Sequence, residues 1–173
     1  MNHGDHVRLL QAGVTQAGVW ADLGAGGGAF TLALAELLSA EGVIYAVDRD
    51  RGALDPLARA MAARFPDVRL HLRTCDFTQP LDLPALDGIV MANSLHFVER
   101  KAGVLALVRG YLRPGGRLIV VEYNTDRGNR WVPYPFSYPT WEKLAVEAGF
   151  SHTALLATRP SHFLGEFYAA ASW

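Results

Sequence analysis

Two kinds of apolar pattern alternate along this chain. Val19–Leu23 is apolar apart from Asp22, and Val43–Val47 is an unbroken apolar run. Runs of that length, bounded by turn residues, predict strands covered on both faces. Val68–Arg73 instead alternates apolar and polar with period two, which predicts a strand nearer the sheet edge. Asp87–Ala92 and Arg117–Tyr123 complete a set of five strands. Between them the period lengthens to that of a helix. Phe30–Leu38 is one such segment. Arg51–Arg64 places Leu54, Leu57, Ala58 and Met61 on one face, and Arg100–Tyr111 does the same with Val104, Leu105, Leu107 and Val108. Asp5–Ala12 reads as a short leading helix with Asp5 as a cap. This strand–helix rhythm predicts a doubly wound α/β sheet, mostly parallel.

The end of the chain departs from the rhythm. Residues 124–138 crowd Trp131, Pro133, Tyr134, Pro135, Phe136 and Tyr138 into a stretch with little periodicity. Pro139 suits the first position of a helix over Thr140–Ala148, with Gly149 as its C-terminal cap. His152–Thr158 and Phe163–Ala171 then read as strands separated only by Arg159–His162. So short a connection joins antiparallel neighbours alone. The sheet is therefore expected to close on an antiparallel hairpin.

The sharpest break falls after the first strand, where Gly24, Gly26, Gly27 and Gly28 occupy four of five positions. Strand, glycine turn and helix together bring backbone N–H groups up to a ligand. Gly24, Gly26 and Ala29 satisfy a dinucleotide-binding spacing, whereas Asp22, Gly24, Gly26 and Gly28 satisfy an acid-led one. The turn alone does not separate the two.

Other strands deliver polar groups to the same sheet edge. Asp48 ends the second strand, 20 positions past Gly28, near the spacing at which an acid meets a ribose diol. A carboxylate suits that task because it accepts from both hydroxyls. Asp76 follows the third strand, and Asn93 and His96 follow the fourth. Ligands of open α/β sheets bind beyond these carboxyl ends. His71 reads as an exposed edge residue and Cys75 as a small packing residue. His3 and His6 read either as a frayed terminus or as part of a lid over the ligand.

Composition narrows the class. A chain of 173 residues with half its residues apolar suits one domain with a substantial core. A formal net charge of −1 without a basic run argues against nucleic acid as a partner. Cys75 is the single cysteine, so disulfide and cysteine-rich zinc frameworks are excluded. The N-terminus lacks the pattern of a signal peptide and no apolar run approaches a membrane span. The expectation is a cytoplasmic protein with no membrane partner.

Taken in order, these segments resemble the class I S-adenosylmethionine-dependent methyltransferases. Asp22-Leu23-Gly24-Ala25-Gly26-Gly27-Gly28 resembles the family's first motif. Ala46-Val47-Asp48-Arg49, Cys75-Asp76-Phe77 and Asp87–Asn93 resemble the next three. Leu112–Leu118 resembles the turn into strand five, and Leu144–Phe150 the segment before the final hairpin. The resemblance implies a seven-stranded Rossmann-like sheet of order 3-2-1-4-5-7-6 with strand seven antiparallel. It implies one S-adenosylmethionine-binding domain over residues 1–173, with residues 1–18 a short cap and 124–138 a substrate loop.

By the same resemblance, Asp22 and the turn Gly24, Ala25, Gly26 and Gly28 approach the amino-acid part of S-adenosylmethionine. Asp48, with Arg49 beside it, holds the ribose. Asp76 accepts from the adenine amino group and Phe77 lies beside the ring. Asn93 and Leu95 line the side facing the methyl group. The implied product is S-adenosylhomocysteine, and the expected partner is a small-molecule acceptor.

Methyl transfer from a sulfonium needs alignment and dryness more than acid catalysis. A base helps where the acceptor carries a proton, and His96 stands where one would act. Trp131, Tyr134 and Tyr123 are candidate walls for a planar or partly apolar acceptor. No metal is expected. Two other readings fit parts of the pattern. A nicotinamide-dependent oxidoreductase accounts for Gly24, Gly26, Ala29 and Asp48 but not for Asp22, Asp76 or the hairpin. An inactive cofactor-binding module accounts for all of them.

Overall fold

The computed structural model describes residues 1–14 and 18–173. Its centre is a seven-stranded sheet of order β3-β2-β1-β4-β5-β7-β6. Strands β1 (Val19–Leu23), β2 (Val43–Asp48), β3 (Arg69–Thr74), β4 (Leu86–Ala92) and β5 (Leu112–Tyr123) run parallel. Strand β7 (Gly165–Ser172) is antiparallel to β5 and to the edge strand β6 (Thr153–Ser161). This is the sheet expected from the sequence. The order reverses direction between β1 and β4, whose carboxyl ends therefore open a crevice.

Alternate residues of each central strand feed opposite cores. Trp20, Ile44, Val90, Ile119 and Ala171 face α1 (His3–Leu10), α2 (Ala29–Leu38) and α3 (Arg51–Arg64). Ala21, Val47, Ile89, Val120 and Tyr168 face α4 (Lys101–Tyr111) and α5 (Tyr138–Glu147). Both cores are largely apolar, because the central strands are near-continuous apolar runs covered on both faces. Gly88 makes room for Trp20: a Cβ there would stand 2.2 Å from the indole ring.

Several boundaries differ from the sequence reading: β5 begins at Leu112 instead of Arg117, taking in the expected turn, with a register shift between Leu86 and Gly88 of β4. Helix α1 begins earlier, capped by Asn2, while Asp5 returns the bond to the Asn2 N–H as the third residue of a capping box. Helix α5 begins at Tyr138, with the Ser137 hydroxyl accepting from the Thr140 N–H. The final hairpin turns at His162–Leu164, not at Arg159–His162, because β6 continues through Pro160 and Ser161. A proline is tolerated there because β6 is an edge strand with one side unpaired. Gly165, at φ +82°, supplies the left-handed residue that the turn needs. Phe163 accordingly sits at the hairpin tip instead of in a strand.

Candidate functional site

The glycine turn is pinned from below by β2. The Gly24 and Ala25 N–H groups both donate to the Val47 carbonyl, at 2.8 and 3.0 Å. The Gly26 N–H donates to Asp48 Oδ2 at 2.8 Å, and the Asp50 N–H to Asp48 Oδ1 at 2.9 Å. Asp48 thus fixes the turn while each of its oxygens keeps lone-pair capacity toward the cleft. The glycines do different work. Gly24, at φ +86°, lies so close to Ser94 that a Cβ would fall 2.4 Å from the Ser94 Cβ. Gly26, at φ +50°, and Gly27 face empty space, with no protein atom within 4 Å of where a Cβ would stand.

That space belongs to two adjoining clefts sharing Gly24, Gly26 and Asn93. The first, about 370 Å³, is lined by Asp48, Arg49, Asp76, Phe77, Ser94 and Phe97 among others. The second, about 600 Å³, runs over the start of α2 and is bordered by Asp22, Ala25, Phe30, Met1, His3 and His6. Helix α1 is held in this position by an ion pair from Asp5 to Arg159 of β6 at 2.8 Å and by a hydrogen bond between His3 Nε2 and Glu36 of α2 at 2.7 Å. The N-terminal histidines are therefore docked on the fold at the second cleft.

The acids differ in character. Asp76 is exposed, and the Thr78 N–H and hydroxyl bonding its Oδ1 hold its carboxyl below the usual range. It is a charged acceptor at neutral pH. Asp22 is buried beneath the turn, and burial pushes its carboxyl up to about 6. The Thr31 hydroxyl at 2.6 Å opposes that rise and the Asp48 charge adds to it. Asn93 adopts φ +51°, and its Oδ1 is buried without a hydrogen-bond partner. A buried acceptor beside both clefts suits a hydrogen-bond donor on a ligand.

These features fit S-adenosylmethionine. Asp48 would take the ribose, Asp76 the adenine edge, and Asn93 Oδ1 and Asp22 the ammonium. The open face of Gly26 and Gly27 would take the amino-acid backbone. Leu95, by contrast, is fully buried in the α4-side core and lines neither cleft. Its N–H donates to Glu122 Oε1 at 3.0 Å. Gly28 meets Leu57 instead of open space.

Beyond Ser94 the chain forms a single 3-10 turn, Leu95–Phe97. His96 is buried, with Nδ1 2.6 Å from Glu122 Oε2, and its N–H donates to Glu122 Oε1 at 3.2 Å. The ring packs on Phe97 at 4.3 Å and faces Tyr123 at 6.4 Å. Burial and the Glu122 charge push the Tyr123 phenol up, so it remains a neutral donor. Tyr134 hangs from this turn, its N–H donating to the His96 carbonyl at 3.0 Å. Trp131 is 69% exposed, with Arg130 over its ring, and like His96, Tyr123 and Tyr134 it lines neither cleft.

Sequence reasoning passed over Ser94, Thr78, Phe97 and Lys101. Lys101 donates from Nζ to the carbonyls of Val98 and Tyr134, both at 2.9 Å, and so ties the 3-10 turn to the loop. A small hydroxyl directly after Asn93 was a signal for Ser94. Nothing local marked Lys101.

Sheet order, antiparallel β7 and the glycine turn after β1 define the class I methyltransferase fold. A family profile described as "Methyltransferase domain" matches residues 21–118, more than half the chain, and the chain belongs to that family. Solved structures agree on the fold. An arsenic(III) S-adenosylmethionine methyltransferase from Chlamydomonas reinhardtii superposes with a TM-score of 0.74 at 18% identity, covering 93% of this chain and 64% of that one. A putative O-methyltransferase from Nostoc punctiforme gives 0.76 at 19%, covering 97% and 55%. Human N-acetylserotonin methyltransferase in complex with S-adenosylmethionine gives 0.70 at 19%, covering 99% and 51%. The chain thus spans about half to two thirds of these proteins. No curated protein matches its sequence. No helix among the described residues is long and apolar enough to cross a membrane.

Proposed function

We propose that this chain transfers a methyl group from S-adenosylmethionine to a small, planar or partly apolar acceptor that gives up a proton as it is methylated. The observation that carries this reading is the pair of clefts that meet at Gly24, Gly26 and Asn93. They take in the glycine turn, Asp48, Asp76 and the unpartnered Asn93 oxygen; the buried His96–Glu122 pair lies on the turn between the cleft-lining Ser94 and Phe97 and lines neither cleft itself.

When bound, S-adenosylmethionine supplies an electrophilic methyl on a sulfonium whose departure needs no acid. The protein's residues do the rest. The turn and Asp48 fix the donor's position, and alignment of this kind is worth roughly 7–11 kcal/mol of barrier. Glu122, held by the N–H groups of Leu95 and His96, accepts from His96 Nδ1. That bond sets the tautomer, leaving Nε2 as the basic nitrogen, and stabilises the imidazolium that forms when His96 takes the acceptor's proton. Such a base contributes roughly 10²–10⁴ in rate. Tyr123 and Tyr134 flank His96.

The reading is tested by His96→Ala and Glu122→Gln in a transfer assay over a panel of phenolic, enolic and amine acceptors. Turnover should fall at least a hundredfold in His96→Ala while S-adenosylhomocysteine affinity is kept. Unchanged turnover would remove His96 from the chemistry.

A further inference from the structure

Lys101 stands where a lysine is costly. It opens α4, whose N-terminal dipole disfavours a cation, and no acid stands in that first turn. Its side chain is largely buried. That burial pulls the ammonium below its ordinary value, against the opposing effect of the Glu122 charge. Helix and burial thus both count against a lysine here, and a broken local rule of this kind marks a functional position. Its contacts supply the reason. Nζ donates to the Val98 and Tyr134 carbonyls, both at 2.9 Å, and stands 4.9 Å from the centre of the Phe136 ring.

The two carbonyls belong to different parts of the chain. Val98, with Phe97, lines the first cleft together with Asp76 and Phe77. Tyr134 belongs to the loop between β5 and α5. Pro133 and Pro135 flank it and have no N–H groups, so they favour an extended chain and leave Tyr134 to make the bonds. It makes two. Its N–H donates to the His96 carbonyl at 3.0 Å, and its carbonyl accepts from Lys101. Among the described residues these are the only hydrogen bonds between residues 124–137 and residues 94–101, and both use main-chain atoms of Tyr134. The 3-10 turn is therefore anchored at both ends by charge. Glu122 accepts from the N–H groups of Leu95 and His96, and Lys101 donates to the carbonyl of Val98.

We infer that Lys101 is a positioning residue for the proposed methyl transfer: it fixes the cleft wall at Val98 against the loop at Tyr134, so that cofactor binding in the first cleft and order in the loop are coupled. The inference rests on the methyl-transfer reading. A ligand packed on Phe97 and Val98 restrains the turn, and Lys101 passes that restraint to Tyr134. By linkage, a loosened loop weakens the ligand by the same factor. The test is amide hydrogen exchange of the full chain, followed by NMR at the Val98 and Tyr134 N–H groups, with and without S-adenosylhomocysteine. In the free protein Lys101→Met should speed exchange at Tyr134 by about tenfold. Methionine keeps an apolar stem beside Phe136 and removes a buried charge, so the variant should fold, its β5 and β7 amides exchanging as in wild type. S-adenosylhomocysteine should slow exchange at Tyr134 in wild type but not in Lys101→Met, whose affinity for it should fall by about fivefold or more. Lys101→Arg, whose planar fork can serve both carbonyls, should keep most of that protection. Tyr134→Ala should keep it too, because both bonds are made by the main chain.

S-adenosylhomocysteine binding to wild type without slower exchange at Tyr134 would overturn the inference whatever the variants do. So would unchanged exchange and affinity in a folded Lys101→Met, or a loss of protection in Tyr134→Ala equal to that in Lys101→Met. Faster exchange in free Lys101→Met, with affinity and protection unchanged, would make the lysine a fold contact alone and overturn it too. Wild type that binds no S-adenosylhomocysteine, while Lys101→Met still loosens Tyr134, would sink the methyl-transfer reading and leave the link between turn and loop standing.

Discussion

His96 Nδ1 and Glu122 Oε2 lie 2.6 Å apart, with almost no solvent on either side chain. The glutamate ends a central strand and the histidine occupies the turn after its neighbour, so β4–β5 pairing fixes their distance. Glu122 also caps that turn through two backbone N–H groups. Its removal therefore has two separable effects. Glu122→Gln should lower turnover by roughly 10² or more, by losing the charge that orients and stabilises His96. Glu122→Ala should in addition lower stability by about 1–3 kcal/mol, by orphaning buried donors. Chemical denaturation alongside initial rates separates the two.

Asp48 should matter to binding more than to folding. Its carboxylate already serves two N–H groups, and an amide can retain one of them. Asp48→Asn should cost roughly 10- to 100-fold in S-adenosylhomocysteine affinity, the value of charge-assisted hydrogen bonds to a diol. Calorimetric titration reads the loss directly.

The glycines Gly26 and Gly28 offer a contrast. Gly26→Ala meets no protein atom, so stability should fall only by the left-handed backbone cost of about 1–2 kcal/mol while ligand affinity collapses. Gly28→Ala places a Cβ 2.3 Å from Leu57 Cδ1 at a left-handed residue, so stability should fall further. Thermal melts with and without S-adenosylhomocysteine distinguish the two, since the ligand should raise the midpoint for Gly28→Ala and not for Gly26→Ala.

Asp22 gives a pH signature. Its folded carboxyl is raised from 3.8 to about 6, so the folded state holds the proton more tightly than the unfolded chain. This contribution is fully present below about pH 4 and is lost as pH rises through about 6, a span worth about 3 kcal/mol. Asp22→Asn should flatten that part of the stability profile and be the more stable protein at neutral pH. The ligand's ammonium favours the ionised form, so wild-type affinity should weaken below about pH 6. Denaturation midpoints of both proteins across this range test the sign.

Strand and helix order were legible because strand runs and helix faces carry different periods, and the glycine cluster allowed only a turn. Asp48, Asp76 and Asn93 were legible as cleft-lining residues because each stands at or within two residues of the carboxyl end of a strand. What depends on tertiary cover was not. Leu95 follows Asn93 by two positions yet points into the α4 core, because the 3-10 turn rotates it away from the crevice. Trp131 carries the composition of a pocket wall but stands in solvent. Lys101 reads as a surface cation, yet it is largely buried and bridges two carbonyls from segments over thirty residues apart.

The most direct test of the central claim is calorimetric titration of the purified protein with S-adenosylhomocysteine, with NAD in parallel. The crevice described here predicts micromolar-range binding of S-adenosylhomocysteine, strongly weakened in Asp48→Asn, and none of NAD. Binding of NAD alone, or S-adenosylhomocysteine binding indifferent to Asp48, would contradict it.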